Sequence, residues 1–516
     1  MATGPALNKL AVGRAFAWGL LLAALASFFS GLAATPLFDL DEGAFSAATL
    51  EMFERGDFLA TYLNGVPRYD KPILSYWLQA ASAWALGFNE FALRLPSALA
   101  AVAWTILAYR FAGRLYDRDT ALAAGLLTAT TLGVGFIGRA ATADALLNAA
   151  LAGALFAQFL WLKHDRARDL HFAWAAMALG FLTKGPVAVA VPLLTALLYL
   201  ASRRDWRRCL DLIANKRAWL IFAAIALPWY IAVTWVKGPG FVEGFLLKHN
   251  VGRFTGAMEG HRGGPFYYLP VLLIATLPYT GLLLRLARNW RAHWRDEFGR
   301  YALILFGLVF VLISLSATKL PHYLLYGLSA LLVLLAREAR DARSRWLLLP
   351  ALLMFAALYF LPDLLAAKQD QAKPYYQALL ADIDRHFGLP YRIYFAAAAV
   401  VTVLLMVLNR IAIGPRLYLA GLVAGYGLAL VLLPAAGKLL QGPVKEAGLL
   451  ARHLNTTVVM DGINTPSFSV YAGRVVERRA PLPGEALFTV TGHLAELPPY
   501  DIIYIRKDIA LVRLRK

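Results

Sequence analysis

Apolar runs close to the ~20 residues that a helix needs to cross a bilayer recur along this chain, separated by short polar breaks rich in arginine. The pattern predicts about thirteen spanning helices, centred near 15–34, 93–111, 120–137, 145–162, 171–183, 186–201, 218–236, 268–284, 301–316, 321–336, 346–362, 393–408 and 417–434. No small-residue cleavage site follows the first run, which reads as a retained helix. Between the first two spans, Phe45, Leu50, Met52 and Phe53 predict an amphipathic helix lying on the membrane surface. The stretch Pro72–Leu86 is too short to span and reads as re-entrant or surface-lying. After Pro434 the pattern changes. Val458–Met460, Phe468–Tyr471, Ala486–Val490 and Asp501–Arg506 alternate as strands do, and Lys445–Leu454 reads as a helix. The expected organisation is therefore a transmembrane domain over residues 1–436, with outer loops at 35–92 and 237–267, followed by a small α/β domain over 437–516.

Composition agrees with the pattern. Of 516 residues 59% are apolar and 16% charged, against roughly a quarter charged in soluble chains. The net charge of +19 would raise the question of nucleic acid in a soluble protein, but its placement answers otherwise. With the N-terminus in the cytoplasm, Arg110/Arg114/Arg118, Lys163/Arg166/Arg168, Arg203/Arg204/Arg207/Arg208, Arg285/Arg288/Arg291/Arg295/Arg300, Arg337/Arg340/Arg343/Arg345 and Arg410/Arg416 all fall inside. That is the positive-inside pattern, and it accounts for the charge with membrane lipids rather than nucleic acid as partner. The segments 35–90, 138–144, 237–267, 363–391 and the C-terminal tail then face outward. The single cysteine, Cys209, excludes an internal disulfide and a thiolate metal cluster.

The outward segments carry the chemistry. Asp39-Leu-Asp41-Glu42 lies where the first span leaves the membrane, although acidic residues at a helix start are ordinary caps. Leu63-Asn-Gly-Val-Pro67-Arg68-Tyr-Asp70-Lys71-Pro72 ends in a charge pair that would equally flank a helix start. Asp144 opens the fourth span, as a cap or as a functional acid at membrane depth. Thr183-Lys184-Gly185-Pro186 reads as a hairpin with a snorkelling lysine or as part of a site. His249-Asn250-Val-Gly-Arg253-Phe254 and His261-Arg262 share one outer loop, and Thr318-Lys319-Leu320-Pro321-His322-Tyr323 stands at the outer mouth of the tenth span. Three further matches are discounted. Gly133-Val-Gly135-Phe-Ile-Gly138 has no strand before it and reads as helix packing. Gly421 and Gly425 read as a small-residue helix contact, and nothing argues that the sequon Asn455-Thr-Thr457 is used.

Acids at 41 and 144 and cations at 71, 184, 253 and 319 share one side, which points to a single site. Acids and bases walled by apolar helices suit a substrate with an anionic headgroup and a lipid tail. Lys and Arg would hold its phosphate, and an Asp would orient or deprotonate an attacking group. These residues, in this order, resemble the GT-C type membrane glycosyltransferases that take sugar from a polyprenyl phosphate. That group includes the protein O-mannosyltransferases and, more closely, the lipid A aminoarabinose transferases. The likeness runs through Asp41-Glu42, Tyr69-Asp70-Lys71-Pro72, Asp144, Thr183-Lys184-Gly185, His249…Arg253-Phe254, His261-Arg262 and Lys319-Leu-Pro-His-Tyr323.

The resemblance implies a polytopic α-helical GT-C fold with a small extracytoplasmic domain, in the inner membrane of a Gram-negative bacterium with its site facing the periplasm. It implies that Asp41 is the main catalytic carboxylate, Asp144 a second acid, and Lys71 the ligand of the donor phosphate, with Arg253, Lys319, Tyr323 and Lys184 beside it. It further implies a divalent metal near the donor, held by Asp70 and His249, with His261 a rival ligand. Here the chain departs from the family, because the lipid A enzymes carry Glu at position 70 and Asp reaches about one methylene less. The implied donor is undecaprenyl-phosphate-linked sugar, which needs no nucleotide, and the implied acceptor is lipid A or another envelope molecule. Transfer of a hexose or hexosamine to protein or another glycan is the alternative within the class. A transporter would share the many spans, but it places its ionisable residues near the midplane, whereas these sit at outer helix ends.

Overall fold

The computed structural model describes residues 4–245, 252, 263–408 and 410–516. It is a polytopic α-helical membrane protein whose first half is built from α1 (Gly4–Phe29), α2 (Asp41–Arg55), α3 (Leu74–Leu86), α4 (Glu90–Leu115), α5 (Arg118–Thr130), α6 (Leu132–Ile137), α7 (Asp144–His164) and α8 (Ala167–Lys184). The starts of α4 and α5 follow from their caps. The Asn89 side chain accepts from the Ala92 N–H at 2.9 Å, and Asp117 accepts from Thr120 at 2.9 Å. Helix α2 stops at Gly56, whose φ of 65° few other residues would tolerate. The most enclosed of the long apolar helices, α7, packs on both α4 and α8.

Among the described residues, seven helices are long and apolar enough to cross a membrane. Several of the other expected spans fall on helices that are shorter or broken. At Thr131 the backbone turns extended and separates α5 from α6. The bare Leu132 N–H this leaves is satisfied by the Leu277 carbonyl at 2.9 Å, in the break of the 268–284 span. Two interrupted helices thus complete each other's hydrogen bonding, as backbone in a bilayer must. The glycines of 133–138 serve close packing, as expected: a Cβ on Gly138 would stand 2.8 Å from Ala101.

The outer loop after α2 contains the hairpin β1 (Tyr62–Leu63) and β2 (Val66–Pro67). Asn64 and Gly65 both adopt positive φ between them, as a tight two-residue turn requires. Ion pairing of Asp57 with Lys237 at 2.7 Å and the Trp229 indole bond to the Leu59 carbonyl at 2.9 Å tie this loop to the helix Lys216–Lys237.

The chain leaves the bundle through one helix, Leu433–Ala451, and closes with a five-stranded sheet. Its strands are β3 (Val458–Met460), β4 (Glu477–Arg478), β5 (Ala486–Val490), β6 (Tyr500–Arg506) and β7 (Ile509–Leu514), in the order β4-β3-β5-β7-β6. Three of the four expected strands are present. The fourth, Phe468–Tyr471, is instead part of the helix Ser467–Ala472. Pro466 starts that helix and Gly473 ends it at φ 63°. Its residues are buried on every side, so their alternation carried no information about a sheet face. Phe468 stacks on Phe488 of β5 at 3.8 Å.

Candidate functional site

Helix α2 begins at Asp41, which lies in its first turn but does not cap it: the N-cap position is Leu40 and no side chain caps the helix. The Asp41 carboxylate stays open to solvent while protein surrounds it on the other sides. This enclosure raises its pKa above the usual 3.8, and the negative charge of Asp144 adds to the effect. Lys184, Lys71 and Arg68 pull in the other direction. The expected acids and two of the expected cations therefore act on one another across sequence gaps of about a hundred residues, and Arg68 joins them.

Asp144, at the start of α7, is buried against Lys184, the last residue of α8, in an ion pair. The His322 Nε2 stands 3.6 Å from the same carboxylate oxygen and 3.4 Å from the Lys184 Nζ. Thr142 donates its hydroxyl to the other oxygen at 3.3 Å. Tyr323 and Tyr326 wall the ammonium, their ring centres 5.4 and 5.7 Å from it. In this arrangement Lys184 and Tyr323 sit around Asp144, and the charge of Lys184 is directed at that carboxylate. His322 belongs to the same group, although only its place in the Lys-Leu-Pro-His-Tyr run marked it in the sequence.

The loop 68–71 supplies the remaining charges. Arg68 clasps Asp70 through two bonds, Nε to Oδ1 at 2.8 Å and Nη2 to Oδ2 at 2.9 Å. Lys71 lies 3.4 Å from the same Oδ2. Burial works against the Arg68 charge, but the Asp70 carboxylate and its two hydrogen bonds outweigh it and hold the guanidinium protonated. The Arg68 Nη1 is buried without a hydrogen-bond partner among the described residues, although the guanidinium also lies over the Phe45 ring at 5.4 Å. Both Asp70 oxygens accept from Arg68 and one of them also faces Lys71, so among the described residues this carboxylate balances two cations. No group of three His, Cys, Asp or Glu able to hold a metal occurs among the described residues. His249, His261 and Arg253 lie outside the described residues.

Lys319 is engaged elsewhere. It is buried, and its ammonium donates to the carbonyls of Ile313, at 3.1 Å, and Ser314. It thus closes the C-terminal end of the helix Glu297–Leu315, where a cation complements the helix dipole. Its burial lowers its pKa.

Behind the site lie residues that sequence reasoning left without a role. Glu42 is buried and pairs with Arg94 of α4 through two bonds of 2.7 Å each. Arg94 also donates to the carbonyls of Leu32 at 2.8 Å, Thr35 at 2.5 Å and Pro36 at 2.9 Å. Glu42 in turn accepts the backbone N–H groups of Phe38 at 2.9 Å and Ala141 at 2.7 Å. One ion pair therefore joins the α1–α2 connection, α4 and the turn before Asp144. The available signal was Arg94 itself, an arginine at the start of an apolar span, where an ionisable group needs a reason.

Positions 70–235 match the family model for dolichyl-phosphate-mannose-protein mannosyltransferase. An "Uncharacterized protein" of Aquifex aeolicus (strain VF5) is 31% identical over 299 residues, 58% of this chain and 67% of its own length. The undecaprenyl phosphate-alpha-4-amino-4-deoxy-L-arabinose arabinosyl transferase of Yersinia pestis (strain Pestoides F) is 31% identical over 317 residues, 60% of this chain. The chain spans 56% of the length of that relative. The fold is similar to the crystal structure of ArnT from Cupriavidus metallidurans bound to undecaprenyl phosphate. The TM-score is 0.82 at 20% identity, over 97% of this chain and 98% of that one.

Proposed function

We propose, on the premise that the chain belongs to the GT-C type family of membrane glycosyltransferases that draw sugar from a polyprenyl phosphate, that it moves a sugar from undecaprenyl phosphate to lipid A. The names of the Yersinia relatives support 4-amino-4-deoxy-L-arabinose as the sugar. One observation carries the reading: Asp41, Asp144, Lys184, Lys71 and Arg68 converge on a single electrostatic site at one end of the helix bundle. The arginine clusters at the other helix ends support a cytoplasmic N-terminus in a bacterial inner membrane. The site and the small domain of residues 437–516 then face the periplasm.

The reaction is a single displacement. An acceptor oxygen bonds to the anomeric carbon as the bond from that carbon to the phosphate oxygen breaks, and polyprenyl phosphate leaves with the electron pair. Lys71 and Arg68 meet the charge that develops on the departing phosphate, with Arg253 joining them from the outer loop. Removing one such preorganised donor typically costs about 10²–10³ in rate. Asp41 faces the acceptor. Toward a sugar hydroxyl it takes the proton, and the enclosure that raises its pKa makes it the stronger base. Toward a lipid A phosphate, already anionic, it orients the nucleophile and balances the positive charge on the sugar ring. Asp144, fixed by Lys184 and His322, sets the negative field in which Asp41 works. The phosphate ester already activates the donor, so no nucleotide takes part.

Mass spectrometry of lipid A from a deletion strain carrying wild-type protein or Asp41→Asn tests the reading. A sugar-sized mass increment present only with the wild type is expected. Equal modification in both strains would remove Asp41 from the chemistry. No increment in either, with both proteins well expressed, would turn the search to a protein or glycan acceptor.

A further inference from the structure

The segment that carries Asp41 is held from two directions. On the bundle side Glu42 is locked to Arg94. On the other side the grip comes from the C-terminal domain. The Ser467 N–H donates to the Asp39 Oδ1 at 3.0 Å, and the Ser467 hydroxyl donates to Oδ2. The Gln441 amide donates to the same Oδ2 at 3.2 Å, while its carbonyl accepts the Asp39 N–H at 3.3 Å. Tyr471 accepts the Leu37 N–H at 2.7 Å and donates to Glu90 of α4 at 3.1 Å, and Lys445 pairs with that same Glu90. Between the two grips stands Gly43. A Cβ there would lie 1.9 Å from the Asp39 Oδ1 and 2.7 Å from the Ser467 nitrogen. The approach is so close that only glycine admits it.

Asp39 is two residues from Asp41, and the turn between them closes on itself. Gly43 donates to the Phe38 carbonyl at 3.1 Å and Ala44 to that of Leu40 at 2.9 Å. Whatever moves Asp39 therefore rotates the first turn of α2 and swings the Asp41 carboxylate. We propose that the C-terminal domain completes the active site, with Asp39 a positioning residue through which Ser467 aims Asp41 at the reacting atoms. The proposal rests on the reading of Asp41 given above. Docking alone does not require this chemistry, because well-packed apolar residues attach a domain without desolvating a carboxylate. That desolvation is substantial here. It pushes the Asp39 pKa up to about 7, with Glu42 adding to the rise and the two Ser467 bonds opposing it.

The test uses the full-length protein in detergent with undecaprenyl phosphate-linked 4-amino-4-deoxy-L-arabinose and lipid A, comparing wild type, Asp39→Ala, Asp39→Asn, Ser467→Ala and Asp41→Asn. A misaimed catalytic group can cost on the order of 100-fold. Asp39→Ala and Ser467→Ala should lower kcat by about 10- to 100-fold and leave KM for the donor within about twofold, while Asp39→Asn, which keeps the size and one oxygen to accept the Ser467 N–H but turns the second acceptor into an NH2 donor, should stay nearer wild type than either. Wild-type kcat in Asp39→Ala, or a loss that appears in KM instead, overturns the proposal. Should Asp39→Ala fail to purify as a single species, Ser467→Ala decides, since it removes one hydroxyl. Amide exchange at Gly43 and Ala44 gives a readout that needs no substrate. Protection should fall in the two alanine variants and return in Asp39→Asn, and unchanged protection overturns the proposal. Residual turnover in Asp41→Asn refutes the reading of Asp41, whereas an inactive Asp41→Asn beside a fully active Asp39→Ala refutes the positioning alone.

Discussion

Replacing either member of the Glu42–Arg94 pair should destabilise the outer end of the bundle, and replacing both should cost less than the two losses added together. The pair is buried on both sides and doubly hydrogen-bonded. Breaking a buried pair by deleting one partner typically costs about 3–5 kcal/mol, because the other charge is left uncompensated. Arg94→Met belongs at the upper end of that range. It strands the Glu42 carboxylate and also the carbonyls of Leu32, Thr35 and Pro36, each worth about 1–3 kcal/mol when orphaned beyond the reach of water. Glu42→Gln keeps the shape and one of the two acceptor oxygens and belongs at the lower end. In the double variant no buried charge remains, so a coupling energy of about 2–3 kcal/mol is expected from the cycle. Denaturant titration in mixed micelles, followed by tryptophan fluorescence, measures all four corners. Additivity within about 0.5 kcal/mol would refute the argument, as would single losses below about 1 kcal/mol. The same experiment separates two adjacent carboxylates by role. Asp41→Asn should unfold with the wild type while losing turnover, and Glu42→Gln should unfold early.

Three further outcomes follow from the geometry. The native Asp39 carboxyl holds its proton up to about 7, whereas the unfolded one releases it near 3.8, so the native state binds more protons in between and stability falls as pH rises through that window. The groups facing it are Ser467, Gln441, Glu42 and Tyr375, and a melting series from pH 4 to 8 should show wild type losing ground to Asp39→Asn as pH rises. A constant difference between the two would contradict this assignment. Lys319→Met should lower thermal stability by about 1 kcal/mol, the size of a lost helix-end contact, with KM for the donor unchanged. A raised KM would instead return Lys319 to the phosphate. Chelation of divalent metal should leave turnover unchanged, because Arg68 and Lys71 occupy the Asp70 oxygens. Loss on chelation with recovery on adding a divalent cation would show that Asp70 exchanges these partners for metal.

What could be read in the chain was whatever repeats or clusters locally. Apolar runs of helical length marked the spans, and their arginine-rich ends implied the orientation. Charges on one side marked Asp41, Lys71, Asp144 and Lys184, which the structure brings together. Lys319 satisfied the same criterion, yet its ammonium turns back on its own helix end, a choice made by backbone geometry that composition does not carry. Arg94 meets Glu42 across 52 positions and Ser467 meets Asp39 across 428, and no local period announces either partnership. The Phe468–Tyr471 stretch shows the converse limit. A short alternation implies a strand only when one face is wet, and there every residue is enclosed.

The contact between Asp39 and Ser467 also sets an order of events. During synthesis α2 emerges early, but its partner follows 428 residues later. At roughly 5–20 residues per second, that interval is on the order of 20–90 s. Throughout it the chain would already have its donor-facing loop outside the ribosome, with the catalytic turn held on one side alone. Completion of the turn awaits export of the domain that carries Ser467, so nascent chains would remain idle toward lipid-linked sugar until that domain has been made.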